Sequence, residues 1–281
     1  MSCRQFSVAL AIYEKDDPTC FCDAMDSILH QTAEPSEIVI VVDGPIPPVL
    51  NEALSSYEGL PAVRAIRLPE NRGHGEARRV GLAACTNDLV ALMDADDISA
   101  PDRFEKQLAF MEAHPEVSIV GGQIAEFIGT PNNTLGLREV YLTDEEIKKD
   151  LKSRCPLNQV TVLFRRADVE KAGGYLDFFC EEDYYLWVRM HLRGMRFANL
   201  PDVLVHVRVG EDMYRRRGGL RYFKSEARLQ SIMYREGIIS FPRYMVNVAK
   251  RLVVQVLLPN SLRSFVFKHF ARKSVPVKKE D

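Results

Sequence analysis

Three apolar runs constrain this chain more than any other feature. FSVALAIY (6–13), EIVIVVDG (37–44) and DLVALMD (88–94) leave almost no polar side chain to turn toward water. A half-buried strand alternates apolar and polar residues, so a run without alternation must be covered on both faces. The segments between the runs have helical spacing. In DPTCFCDAMDSILHQT (17–32), Ala24, Ile28 and Leu29 share one face. PVLNEALSSYEG (48–59) and GEARRVGLAAC (75–85) read as further helices and AVRAIRL (62–68) as a third strand. PDRFEKQLAFMEAHP (101–115) reads as a helix that opens on Pro101 and closes before Pro115, and VSIVGGQIAEFI (117–128) as strand again. Strands alternating with helices predict an α/β fold, a mostly parallel central sheet with helices on both faces.

After residue 129 the pattern loosens. GTPNNTLGL reads as a loop, TDEEIKKDLKS (143–153) as a short polar helix and QVTVLFRR as a strand. CEEDYYLWVRMHLRG (180–194) reads as an amphipathic helix and RFANLPDVLVHVRVG (196–210) as strand. No linker or repeat interrupts the chain.

Parallel sheets bind ligands at the carboxyl ends of their strands. Asp43 ends the second apolar run, and Asp94, Asp96 and Asp97 end the run at 89–93. Asp94 and Asp96 are two apart and face the same way on extended backbone. Two carboxylates on one side repel unless a cation lies between them. Mg²⁺ or Mn²⁺ does this well, bridging one or two carboxylates to substrate phosphates. The alternative is a solvated acidic turn in which Asp97 or Ser99 caps the next helix. The D-x-D alone does not choose.

Composition removes several classes. At 46% hydrophobic and 27% charged, the 281 residues have the profile of a soluble globular enzyme. A net charge of −2 provides no global field for nucleic acid, although Arg and Lys dominate from Arg208 onward. The six cysteines contain no C-x-x-C pair and read as reduced thiols of a cytoplasmic protein. MSCRQFSVALAIYEKDDP lacks the pattern of a signal peptide, and no stretch reaches the roughly 20 apolar residues of a membrane span. NRGHGEARR (71–79) has Gly73-x-Gly75 but no third glycine in register, and it follows the third strand, which excludes a dinucleotide fingerprint. IVVDGP has no G-K-[ST], so it is no P-loop. AIYEKDDP is not the Gly-rich, Arg-containing loop that a sugar nucleotidyltransferase carries after its first strand.

FSVALAIYEKDDP, EIVIVVDGP, LPENRGHGEARRVGLAACTNDLVALMDADD and CEEDYYLWVRM occur in this order. The set resembles the family 2 glycosyltransferases, inverting enzymes with a GT-A fold, over roughly residues 5 to 215. That resemblance implies transfer from a nucleotide-diphosphate sugar, most simply a UDP-sugar, with Mn²⁺ or Mg²⁺ as cofactor. It implies that Ala11, Tyr13 and Glu14 line the nucleotide base and that Asp43 bonds it. Many members have a second aspartate where this chain has Gly44. Asn71 and Arg78 fall near the nucleotide. Asp94 and Asp96 match the D-x-D that faces ribose and metal-bound diphosphate. Asp183, with Glu182 beside it, matches the general base of the E-D motif. Taken alone, Glu181-Glu182-Asp183 reads as ordinary first-turn acids complementing a helix dipole, and the upstream motifs turn the reading toward a base. Trp187, four residues after Asp183, either packs on an acceptor sugar or belongs to the core. Arg208 is placed on the acceptor side, and His206 stays outside the metal set as a structural strand residue.

The expected organisation is a catalytic domain over 1–215, with a nucleotide-sugar half to about 128 and an acceptor half after it. A basic, amphipathic helical extension follows over 216–281. VHVRVGEDMYRRRGG (205–219) reads as a flap near donor and acceptor. In the extension, Val246, Leu252, Val253 and Val256 form one stripe, and Leu262, Phe265, Val266 and Phe270 a second with Arg and Lys around it. These suit either an interfacial helix on an anionic membrane or a helix docked on the catalytic domain. The partners implied are a nucleotide-sugar donor, a glycan or polyprenyl-linked glycan acceptor and the inner face of the cell membrane. The competing class is an inactive nucleotide- or carbohydrate-binding module, against which the joint presence of Asp96 and Asp183 argues.

Overall fold

The computed structural model describes residues 5–210, 218–258 and 273–274. The first four strands are β1 (Ser7–Ile12), β2 (Glu37–Val42), β3 (Val63–Arg67) and β4 (Leu89–Leu92). They lie parallel in the order β4-β1-β2-β3. The unbroken apolar sequence has the predicted consequence. Val8, Leu10 and Ile12 pack on one side of the sheet with Phe21, Met25 and Ile28 of α1 (Pro18–Leu29) and Leu50 and Leu54 of α2 (Pro48–Glu58). Ala9 and Val39 face the other side, where Leu82 of α3 (His74–Ala84) covers them. Asp17 starts α1 by accepting the N–H groups of Thr19 and Cys20 at 2.8 and 3.0 Å, and Pro18 occupies the first helical position.

The second half turns the sheet from parallel to mixed. β6 (Val117–Phe127) is flanked by β7 (Thr134–Arg138) and β8 (Leu163–Arg165), both antiparallel to it, and β8 is also antiparallel to β4. The long β9 (Arg196–Arg208) runs parallel to β6 and pairs antiparallel with β5 (Ile98–Ser99). A two-residue β10 (Lys273–Ser274) pairs with β7. The helices here are α4 (Arg103–Ala113), α5 (Asp144–Leu151), α6 (Arg166–Lys171) and α7 (Glu182–Leu192). Beyond them, α8 (Leu220–Arg235) sets Leu229 and Met233 into the same core as Trp187 and Tyr184 of α7, and α9 (Phe241–Leu252) packs outside α8.

Three local expectations need correction. Pro101 lies in the turn before α4, which begins at Arg103. Of QVTVLFRR only Leu163–Arg165 is strand. Gln159–Thr161 winds into a 3₁₀ turn in which the Thr161 hydroxyl donates to Asn158 O at 2.7 Å and accepts Gly122 N–H at 3.0 Å. The stretch GTPNNTLGL is not all loop, since β7 starts within it at Thr134. The flap's Arg215 to Arg217 and the second tail stripe lie outside the described residues.

Gly44 follows β2 with φ +88°. A Cβ there would sit 2.5 Å from the backbone nitrogen of Asn71, so the segment before α3 can lie against the end of β2 only if residue 44 is glycine. An aspartate at this position is excluded by the same contact. Gly44→Ala is expected to destabilise the protein by about 2 kcal/mol or more, from positive φ and backbone clash together, readable in chemical unfolding.

Candidate active site

The carboxyl end of β4 meets that of β1. Met93 N–H donates to Ala9 O at 3.1 Å, and the chain then turns through Asp94 to Asp97 into β5. Arg78 of α3, 3% exposed, holds this junction. Its guanidinium donates to Ala9 O at 3.3 Å and Met93 O at 3.2 Å and pairs with Asp94. Burial would raise the Asp94 carboxyl, but the charge of Arg78 and contact with His74 hold it at about 2. Below the turn, the wholly buried Arg103 donates to Leu92 O at 2.8 Å. Burial draws its pKa down to about 9, against the attraction of Asp94 and Asp97.

Asp97 does not cap a helix, and neither does Ser99. The residue before α4 is Asp102, and the Asp97 carboxylate accepts Arg208 N–H of β9 at 2.8 Å. Burial first, then Asp96 and Asp94, push the Asp97 carboxyl well above its ordinary value. Arg208 also reaches Asp96 O at 3.1 Å, Gly129 O at 2.8 Å and the Asp23 carboxylate at 2.9 Å. It therefore braces the outer side of the acidic turn. Asp96 is exposed at the rim. Asp16, from the loop after β1, faces the same cluster and was not singled out in the sequence. Burial, with the charges of Asp96 and Asp94, raises it to about 6 although it accepts Tyr13 N–H at 2.9 Å.

On the β2 side, both carboxylate oxygens of Asp43 accept backbone N–H groups, from Arg72 at 2.7 Å and Gly73 at 2.9 Å. Asn71 donates to Asp43 O at 3.2 Å. Asp43 thus orders the loop that launches α3. Ala11, half-buried, pairs with Val41, and Tyr13 (half-buried) and Glu14 (exposed) follow at the end of β1.

The third group arrives from α7, 108 residues away from α3 in sequence. His74 Nδ1 lies 2.7 Å from Glu182 Oε1, and its Nε2 lies 3.9 Å from Asp94 Oδ1. Burial and Arg78 would lower the imidazole pKa, but the two carboxylates outweigh them and raise it to about 9. The imidazolium in turn brings Glu182 below its ordinary value despite burial. Like Asp16, His74 carries no signal of its role in the sequence. It lies in NRGHGEARR between two glycines, and the acid it meets, Glu182, is 108 residues away. Beside it, Asp183 accepts Tyr184 N–H at 2.6 Å and the Cys155 thiol at 3.6 Å. Burial, then the charge of Glu182, raise the Asp183 carboxyl to about 6.

Of the two readings of Trp187, the core one holds and the acceptor-side one is corrected. Trp187 is 0% exposed in the core, so its ring offers no face to an acceptor sugar. Four residues on from Asp183 the helix has already turned that side chain inward, among Tyr184, Met190 and Leu229.

Arg78→Met would leave Asp94 beside the sheet without its counter-charge. The expected cost is about 2–3 kcal/mol, below that of a fully buried pair because the Asp94 side chain is 35% exposed. A depressed carboxyl stabilises the fold above its ordinary value of 3.8 and ceases to do so as pH falls through about 2. The part of the gap in unfolding free energy that comes from the Asp94 pair should therefore fade across that window, leaving the part due to the lost bonds to Ala9 O and Met93 O.

Comparison with known proteins identifies the family and the fold. The family description "Glycosyl transferase family 2" matches residues 7–173. An uncharacterized glycosyltransferase of Haemophilus influenzae is 42% identical over 269 residues, 96% of this chain and 100% of its own. The UDP-Gal:alpha-D-GlcNAc-diphosphoundecaprenol beta-1,3-galactosyltransferase of Escherichia coli is 34% identical, over 96% of this chain and 97% of its own. Among solved structures, a mannosyltransferase from Pyrobaculum calidifontis in complex with GDP-Man and Mn²⁺ superposes with a TM-score of 0.63 at 18% identity, covering 93% of this chain and 72% of that one. The fold is therefore GT-A, and the chain belongs to glycosyl transferase family 2.

Proposed function

We propose that this glycosyltransferase transfers a sugar, with inversion, from a UDP-sugar to a lipid-linked glycan during assembly of a bacterial surface polysaccharide. The observation that carries the reading is the His74 bridge. It joins the ionised end of the Asp94–Asp97 turn to the α7 end that bears Asp183. A donor-side acid and a base-side acid thus share one site while keeping opposite electrostatic settings.

In this mechanism the acceptor hydroxyl gives its proton to Asp183 as its oxygen attacks the anomeric carbon. The bond to the nucleoside diphosphate breaks on the opposite face, which inverts the centre. A base with a pKa of about 6 is ionised at neutral pH yet basic enough to take a proton, worth roughly 10²–10⁴-fold in rate. Tyr184 N–H and the Cys155 thiol fix its two oxygens. Ala11, Tyr13, Glu14, Asp43 and Asn71 make the base side of the nucleotide site, and Arg78 holds Asp94 in place.

A divalent ion fits the donor chemistry. Asp94 is ionised, Asp96 stands at the rim, and Asp16 faces both, its carboxyl raised first by burial and then by their charges. Among the described residues no cluster of three or more ligating side chains forms a cage. Mn²⁺ or Mg²⁺ does not require one, since it takes one or two carboxylates and completes its shell with water and diphosphate. Asp96 and Asp94 would hold the ion, which when bound neutralises charge growing on the leaving group.

The UDP-sugar reading is supported by similarity to the Escherichia coli enzyme, whose name specifies UDP-Gal and a diphosphoundecaprenol acceptor. Such an acceptor would place this protein at the inner face of the cell membrane. Among the described residues no helix is long and apolar enough to cross one.

Calorimetry tests the donor site. UDP should bind wild type only with Mn²⁺ or Mg²⁺, and Asp96→Ala should abolish that metal-dependent binding. Failure of UDP to bind under any metal condition sinks the UDP assignment. For the base, Asp183→Asn should keep UDP affinity and lower kcat by about 10²–10⁴-fold. Wild-type kcat/KM should fall with decreasing pH below about 6 and level off above it, because only the ionised carboxylate accepts a proton. A flat profile through that range would remove Asp183 from the role.

A further inference from the structure

α9 is built inside out. Its inward face is polar. Asn247 donates to Gln230 Oε1 at 2.8 Å and Lys152 O at 2.9 Å, Arg251 donates to Ser153 O at 2.8 Å and pairs with Glu226, and Gln255 in the following turn reaches Glu226 at 2.9 Å. Its outward face is apolar. Phe241, Met245, Val246, Leu252, Val253 and Leu257 are 37–65% exposed. At about 100° per residue Phe241, Met245, Val246 and Leu252 share one arc of α9, and the exposed Val253 and Leu257 of the π-helical turn that follows (Val253–Leu257) continue it. Isolated exposed apolar residues are ordinary, but a contiguous strip along a whole helix marks a contact surface.

We propose that this strip is the face by which the protein lies on an anionic phospholipid bilayer. Three features select that occupant. Residues 241–258 contain no Asp or Glu, while Arg243 and Lys250 border the apolar arc. These two also line a groove with Ser153, Arg154, Val246 and Arg251, next to the strip, where lipid phosphates would sit. Tyr234, Phe241 and Tyr244 cluster at the amino end of α9 with ring centroids 5.6–6.3 Å apart, and half-wet aromatic groups of this kind settle at the headgroup level. The strip is the exposed outer side of a helix. An interfacial helix lies in the plane of the lipid surface with such a side buried.

The placement deepens the proposed function and rests on its lipid-linked acceptor. α8, to which α9 is bonded, packs on the segment leading into Asp183. The Ser225 hydroxyl donates to Phe179 O at 2.6 Å, and Arg228 lies 4.8 Å from the Phe178 ring centre. A bilayer under α9 would thus be coupled to the base side of the site, and the acceptor would be delivered from the surface that anchors its lipid.

The test is sedimentation of the full chain with vesicles of phosphatidylglycerol and phosphatidylcholine, against vesicles of phosphatidylcholine alone. Wild type should bind the anionic vesicles, with affinity falling as salt rises. Met245→Glu combined with Leu252→Glu should weaken binding by about tenfold or more, and Arg243→Glu with Lys250→Glu should remove the preference for anionic lipid. Leu257→Trp offers a second readout at an exposed position: its emission should shift to the blue with anionic vesicles. Transfer to a short-chain soluble acceptor, measured without vesicles, should be unchanged in the glutamate variants. That assay reports separately on the catalytic reading. Vesicle binding unaffected by the glutamates, no binding by wild type, or a dimer that the same substitutions dissociate would each overturn the proposal.

Discussion

The architecture of the site depends on a single buried guanidinium. Arg78 sits where the carboxyl ends of β1 and β4 come together, and it donates both to Ala9 O, which also accepts the Met93 N–H across the two strands, and to Met93 O. The same cation fixes the ionisation of Asp94 and stands next to His74, with Nε 3.3 Å from the imidazole. One side chain therefore closes the sheet, sets the charge of the acidic turn and limits where the imidazole can lie. The cost of burying that charge is offset only because three oxygen acceptors surround it.

The carboxylates around the site differ through their surroundings. Asp94 faces two cations and stays ionised, whereas Asp97 is enclosed behind it with one backbone donor and is driven toward its neutral form. Glu182 and Asp183 are neighbours on α7, yet His74 lowers the first and burial raises the second. Each ionised Glu182 makes proton uptake at Asp183 easier, because like charge disfavours a second anion. The His74 contact thus acts on Asp183 indirectly: by keeping Glu182 charged it contributes to the basicity of the adjacent carboxyl.

Much of this was legible in the sequence, for reasons that differ between regions. β1, β2 and β4 carried an unambiguous signal because a strand buried on both faces has no polar residue to blur it, and the acids at their ends then followed from where parallel sheets bind ligands. The second half resisted. β7 and β5 are short, and β8 is three residues beside a 3₁₀ turn, so neither period 2 nor period 3.6 had room to develop. His74 and Asp16 escaped because their significance lies in partners distant in sequence. Trp187 was ambiguous for a related reason. Helical spacing puts residues 183 and 187 near one another, but it does not say how far that face is sunk into the core.

The same ambiguity governs the C-terminal helices, and there it has a larger consequence. Periodicity shows that a helix has two unlike faces and is silent about which one points inward. For α1 the usual rule holds, with Phe21, Ala24, Met25 and Ile28 enclosed. For α9 it is reversed, and the reversal has a local cause: α8 already spends its apolar residues Leu229 and Met233 on the core, leaving Gln230 and Glu226 on the side that α9 meets. A polar seat selects a polar face. Asn247, Arg251 and Gln255 satisfy it, and the apolar arc is turned outward as a direct result. Removing the seat, rather than the arc, would allow α9 to roll over and bury its own hydrophobic side, so the polar network between α8 and α9 is what keeps that surface on display.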